Sequence, residues 1–141
     1  MKRFLIPLIL VLITGLAAGG CGKGRGEVAA VLDHGFPLAV GQKAVIDKTS
    51  LEIRFEEILE DSRCPEGVQC VWEGRVSARV EIKDGDSSYK MVLVQPGSTR
   101  DYVEETYKEY LLSYKITPYP QQNEDIDKKD YRLLLTVSRK D

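Results

Sequence analysis

The chain reads as all-β: a small antiparallel β-sandwich or open barrel of about six or seven strands behind a flexible N-terminal tether. Three observations predict this. Apolar and polar residues alternate with period two in several separate stretches. Clusters of Gly, Pro, Asp and Ser separate those stretches. No amphipathic helix of about 10–15 residues lies between them, so parallel βαβ units are not expected.

In chain order, residues 44–47 form a short strand candidate. Leu51, Ile53 and Phe55 alternate with Glu52, Arg54 and Glu56, the pattern of a half-buried strand. The phase then slips, because Glu57 is polar while Ile58 and Leu59 are apolar, and one extra residue there predicts a β-bulge. The chain turns through residues 61–67. Val76, Ala78, Val80 and Ile82 face one way, opposite Arg75, Ser77, Arg79 and Glu81. Lys83-Asp84-Gly85-Asp86 is a hairpin turn, and residues 89–94 return with Met91 and Leu93 on one face. Pro96-Gly97-Ser98 ends that hairpin.

Residues 101–109 are ambiguous: Tyr102, Thr106 and Tyr110 share a helical face, yet tyrosine also favours strands. An irregular loop or short helix is expected there, before a strand over residues 111–117 with Leu112, Tyr114 and Ile116 on one face. Pro118-Tyr119-Pro120 stops that strand, and residues 121–130 form a polar, acidic loop. Tyr131, Leu133, Leu135 and Val137 alternate as the last strand.

The N-terminus follows a different logic. Lys2 and Arg3 precede an almost wholly apolar run over residues 4–16, and small residues lead into Cys21. This three-part layout resembles a bacterial lipoprotein signal, although Ala18 stands where such signals usually have Leu. The apolar run is short of the roughly 20 residues that span a bilayer comfortably. The resemblance implies cleavage before Cys21, a thioether-linked diacylglycerol on its sulfur and a further acyl chain, such as palmitate, on its amine. Two or more chains would anchor the protein firmly. The same resemblance, with Gly22 where retention in the inner membrane usually has Asp, implies the outer membrane, facing the periplasm, in a diderm envelope. The expected organisation is a signal peptide over residues 1–20, a lipidated tether over 21–40 and one β domain over 41–141. Gly22, Gly24 and Gly26 make the tether flexible, and residues 28–32 could form a short strand or helical turn.

Removing residues 1–20 leaves 121 of 141, enough for a single modest core. Lys2 and Arg3 leave with them, so 18 basic residues face 22 acidic ones and the net charge is −4. A nucleic-acid partner is not expected. With Cys21 assigned to lipid, Cys64 and Cys70 remain as an even pair in an oxidising compartment, and a disulfide is expected. A metal site is the weaker reading, because Cys-x5-Cys is not a usual zinc spacing and the only histidine is the distant His34.

The segment Asp61-Ser62-Arg63-Cys64-Pro65-Glu66-Gly67-Val68-Gln69-Cys70-Val71-Trp72-Glu73-Gly74 stands apart. It resembles a motif of small, largely uncharacterised exported bacterial proteins, many of them lipoproteins. The resemblance implies a family marker and the alternating strands that follow, and it brings no activity with it.

Two readings of this segment stay open. In the structural one, Trp72 shares a face with Cys70, packs against the sulfurs and covers the core, while Asp61 and Arg63 pair with each other or with loop amides. In the other, Arg63, Glu66, Val68, Trp72, Glu73 and Arg75 form a recognition surface on a loop that loses little entropy on binding. No Gly-x-Ser-x-Gly nucleophile, EF-hand loop or phosphate cradle is present, and Asp125, Asp127 and Asp130 lack the glycine and terminal glutamate of a calcium loop. The expectation is a lipid-anchored envelope domain that binds or braces, without catalysis and without a cofactor. Its partners would be the membrane through Cys21 and an envelope protein or glycan. The alternatives are an inhibitor presenting the Cys64–Cys70 loop to a secreted hydrolase, and a barrel that carries a small apolar ligand.

Overall fold

A computed structural model describes residues 26–141; the expected signal peptide and Cys21 lie outside the described residues. Nine strands follow in order: β1 (Glu27–Ala30), β2 (Phe36–Ala39), β3 (Lys43–Ile46), β4 (Leu51–Asp61), β5 (Arg75–Asp84), β6 (Ser87–Pro96), β7 (Val103–Tyr107), β8 (Tyr110–Thr117) and β9 (Arg132–Arg139). One sheet has the order β1-β3-β4-β5-β6 and the other β2-β9-β8-β7. The architecture is an all-β sandwich.

Period-two patterning builds the core. Val76, Ala78, Val80 and Ile82 of β5 are buried, as are Leu51, Ile53 and Phe55 of β4. Leu112, Tyr114 and Ile116 of β8 face them with Leu133, Leu135 and Val137 of β9. The β5–β6 hairpin closes through Gly85 and Asp86, with Asp84 opposite Ser87. The slip expected after Glu56 is present: β4 shifts register against β5 between Phe55 and Glu57, and again between Ile58 and Glu60. These irregularities bend the far end of β4 and hand the chain to the cysteine loop.

Polar groups bolt the two sheets together near that loop. The Tyr114 hydroxyl donates to the Val94 carbonyl at 2.8 Å and accepts from the Val94 amide at 3.0 Å. The buried Gln95 accepts from the Ile116 amide at 2.7 Å and donates to the carbonyls of Thr99 and Asp101. On the exposed edge of β6, Tyr114 thus occupies both backbone groups of one residue that would otherwise be free to pair.

Four expectations need correction. Among the described residues there are nine strands, not six or seven. The tether expected over residues 21–40 is too long: β1 and β2 lie within it, and Phe36 and Leu38 are buried against β9. Pro37 fits because β2 is an edge strand and its side chain points outward. Residues 101–109 hold neither loop nor helix throughout, since β7 pairs with β8 in a hairpin turning at Lys108-Glu109. Its exposed Glu104, Glu105 and Thr106 are the charged and polar surface of a protected edge. Finally, the pattern is not wholly antiparallel, because β1 runs parallel to β3, with Glu27 beside Lys43 and Ala30 beside Ile46.

These pairings define two ends. β4 and β8 run toward what we term the loop end, where residues 62–74, 97–102 and 118–131 gather. The opposite, turn end holds the tight connections at residues 47–50, 85–86 and 108–109. β1 is antiparallel to β4 through β3, so the chain enters β1 from the loop-end side and runs toward the turn end.

Candidate functional site

The loop between β4 and β5 has a polar base and an apolar tip. Arg63 opens the base and is only 4 % exposed. Its guanidinium grips Asp61 bidentately, Nε to Oδ1 at 2.8 Å and Nη2 to Oδ2 at 2.6 Å. It also donates to the carbonyls of Ile116 at 3.2 Å, near the end of β8, and of Pro118 at 2.8 Å, just past that end. The Tyr131 hydroxyl donates to Asp61 Oδ2 at 2.9 Å. Each buried charge therefore has a full set of partners, the condition under which burial is tolerable. Burial first, then the hydrogen bond to Asp61 and its negative charge, push the Tyr131 phenol up to about 12.

Tyr119 is the second clasp. Its hydroxyl reaches the carbonyl of Cys64 at 2.8 Å and that of Gly97 at 3.2 Å. Arg63 lies over its ring at 5.1 Å from the centroid and Arg100 at 4.4 Å, so two cations share one aromatic ring. Arg100 also pairs with Glu66 at 3.1 Å, and the Gln121 amide donates to the same carboxylate at 3.0 Å. Gln121 and then Arg100 hold the Glu66 carboxyl below its ordinary value. The Glu66 amide donates to the Pro120 carbonyl, making a short parallel bridge between the loops.

Two glycines allow the backbones to close up. Gly74 has φ +66°, and a Cβ there would sit 1.8 Å from the Ser62 carbonyl oxygen. A Cβ on Gly97 would sit 1.9 Å from the Glu73 carbonyl oxygen. The Gly97 amide instead donates to the Gly74 carbonyl at 2.9 Å, and the Cys64 amide to Glu73 at 3.2 Å. Cys64 and Cys70 are disulfide-bonded, with Cα atoms 5.9 Å apart. The ring between them is short, and Val68 stands exposed within it.

The tip follows Cys70. Val71 is 97 % exposed and Trp72 is 73 % exposed. This overturns the reading in which Trp72 packs against the sulfurs and covers the core. That reading assumed an extended chain from Cys70 to Trp72, but the strand resumes only at Arg75. Arg63 is corrected in the opposite direction. Expected on the recognition surface, it is buried in the base, paired with Asp61 as the structural reading had it.

Of the remaining candidates, Glu66, Val68, Glu73 and Arg75 are exposed around the tip. Arg75 is ion-paired with Glu60. Sequence reasoning missed Val71, Tyr119 and Arg100. Val71 carried a usable signal, an apolar neighbour of Trp72 outside any alternating stretch. Tyr119 carried a fainter one between Pro118 and Pro120.

No family model, characterised protein or solved structure matches the chain. Fold and site define it as a β-sandwich whose end loop is closed by a disulfide, clamped at a charged base and apolar at the tip.

Proposed function

We propose that the chain is a lipid-anchored cell-envelope domain that acts by binding, without catalysis, through its disulfide-closed loop. One observation carries the binding part. Val71 and Trp72 are held out in solvent on a base fixed by a disulfide, a buried ion pair and two aromatic clasps. Exposing such side chains forgoes the stability their burial would bring, and a rigid mount lowers the entropy lost on binding. The anchoring part rests on the resemblance of residues 1–21 to lipoprotein signals. It includes the expected location, on the periplasmic face of the outer membrane in a diderm envelope.

Both parts are testable. A palmitate analogue should label the wild type in cells and not the Cys21→Ala variant; equal labelling sinks the anchor. A photo-crosslinking amino acid at position 72 should capture a partner in cells, while the same probe at the exposed Lys48 of the turn end should not. Equal capture at both positions removes the loop as the contact surface.

The inhibitor reading draws on the same rigid loop, with Glu66 and Val68 exposed inside or beside the disulfide ring. It requires that Glu66→Ala and Val68→Ala weaken inhibition of some secreted hydrolase. The carrier reading draws less support, because buried side chains of both sheets pack into one continuous core.

A further inference from the structure

We infer that the loop end rests on the bilayer that anchors Cys21, with Val71 and Trp72 set into the lipid–water interface. The inference builds on the lipid-anchor reading and names the partner of the loop.

Strand direction is the first support. β1 runs away from the loop end, so a chain arriving from an anchor enters from the side on which Val71 and Trp72 project. Reach is the second. Cys21 and Glu27 are separated by six residue steps, which span at most about 20–22 Å when extended. Glu27 sits level with Lys43, and Lys43 with Arg54, while β4 climbs on to Asp61. That climb is roughly 17–20 Å at a strand's rise, after allowing for its register shifts. Most of the tether's greatest reach is therefore spent in arriving at the level of the loop end, which leaves little length for the sandwich to stand clear of the membrane.

Surface chemistry is the third. The turn end presents Asp47, Lys48, Asp86 and Glu109 to solvent. The loop end carries exposed charges too, at Asp101 and over much of residues 124–130, but with them it presents the adjacent apolar pair Val71 and Trp72, and Trp is a side chain that favours the headgroup level of a bilayer. Of the charges around the tip, Glu60 is paired with Arg75 and Glu66 with Arg100, while Glu73 stands exposed next to Trp72 and must stay on the water side of that surface. With a net charge of −4 after signal removal, the contact is apolar and aromatic, not an attraction to anionic lipid. The acyl chains supply the affinity and the loop fixes the orientation.

Trp72 is the only tryptophan, so its fluorescence reports the contact without labelling. The full anchored protein would be reconstituted into vesicles of phosphatidylethanolamine and phosphatidylglycerol, with mass spectrometry to establish the diacylglycerol on Cys21. The expected result is quenching of Trp72 by phospholipid brominated in its acyl chains. Quenching by aqueous iodide should be several-fold weaker than for free N-acetyl-tryptophanamide. Val71→Asp, at a fully solvated position that cannot unfold the domain by cavity formation, should restore iodide quenching and remove the effect of bromine. Lipid present on Cys21 with iodide quenching as strong as for the free amide overturns the docking and leaves the anchor standing. Absence of lipid on Cys21 overturns both. Capture of a protein at position 72 in cells, with no bromine quenching in vesicles, assigns the loop to that protein instead.

Discussion

Arg63 and Trp72 belong to one loop, and their burial is inverted relative to their chemistry. The cation is enclosed and the largest apolar side chain is in water. Arg63 can be enclosed because Asp61, Tyr131 and two strand-end carbonyls satisfy it. Trp72 is exposed because the clamped base gives its segment no route back to the core. The base is thus a structural device and the tip is free for use, a division that substitutions can break or sharpen.

The largest expected effect is at the base. Arg63→Ala leaves the Asp61 carboxylate and two carbonyls without their cation and should cost about 3–5 kcal/mol in urea unfolding. Replacing Asp61 and Arg63 together by apolar residues should recover much of that loss, whereas an equal loss in the double variant would deny the coupling. Gly74→Ala forces both a left-handed Cβ and a clash with Ser62, for an expected loss of about 3 kcal/mol. A midpoint within error of wild type would show that the loop has other ways to close.

Reducing the Cys64–Cys70 bond should cost about 2 kcal/mol, read as a lower urea midpoint with dithiothreitol. Tyr131→Phe should cost about 1 kcal/mol at neutral pH and also change the alkaline profile. The folded state holds the Tyr131 proton up to about 12, while the unfolded chain releases it near the ordinary value of 10.0. The stability this contributes is complete below pH 10 and drains away as the pH rises toward 12. Tyr131→Phe should therefore flatten the decline over that window, and burial of Tyr114, likewise held up to about 12, should supply what remains. The smallest effect is at the tip. Trp72→Ala should change stability by less than about 0.5 kcal/mol while weakening capture by a photo-crosslinking residue placed at the neighbouring position 71; a larger change in stability would mean that Trp72 is structural after all.

Legibility in the sequence followed the range of the forces involved. β5, β8 and β9 were readable because alternation is local and their inward residues are all apolar. The bulge in β4 was readable because a phase slip is also local. β7 was not, since its Glu104, Glu105 and Thr106 are polar on both faces at an edge. β1 and β2 have four residues each, too few for a period to stand out, and only pairing with β3 and β9 makes them strands. The Asp61–Arg63 pair was legible as neighbours, but its burial was not. That depends on Ile116, Pro118 and Tyr131, which approach only when β8 and β9 are in place. The exposure of Trp72 was hidden for a similar reason, because the clamp that excludes it from the core is built by Gly97 and Tyr119 from later loops.

The parallel pairing of β1 with β3 has a mechanical consequence. Tension applied to the chain ahead of Gly26 and directed away from the loop end acts along the axis of β1. The rungs between β1 and β3 then bear the load together, in shear, instead of parting one after another from a peeled end. An element of four residues can in this way resist a pull that would strip an equally short strand attached across its axis.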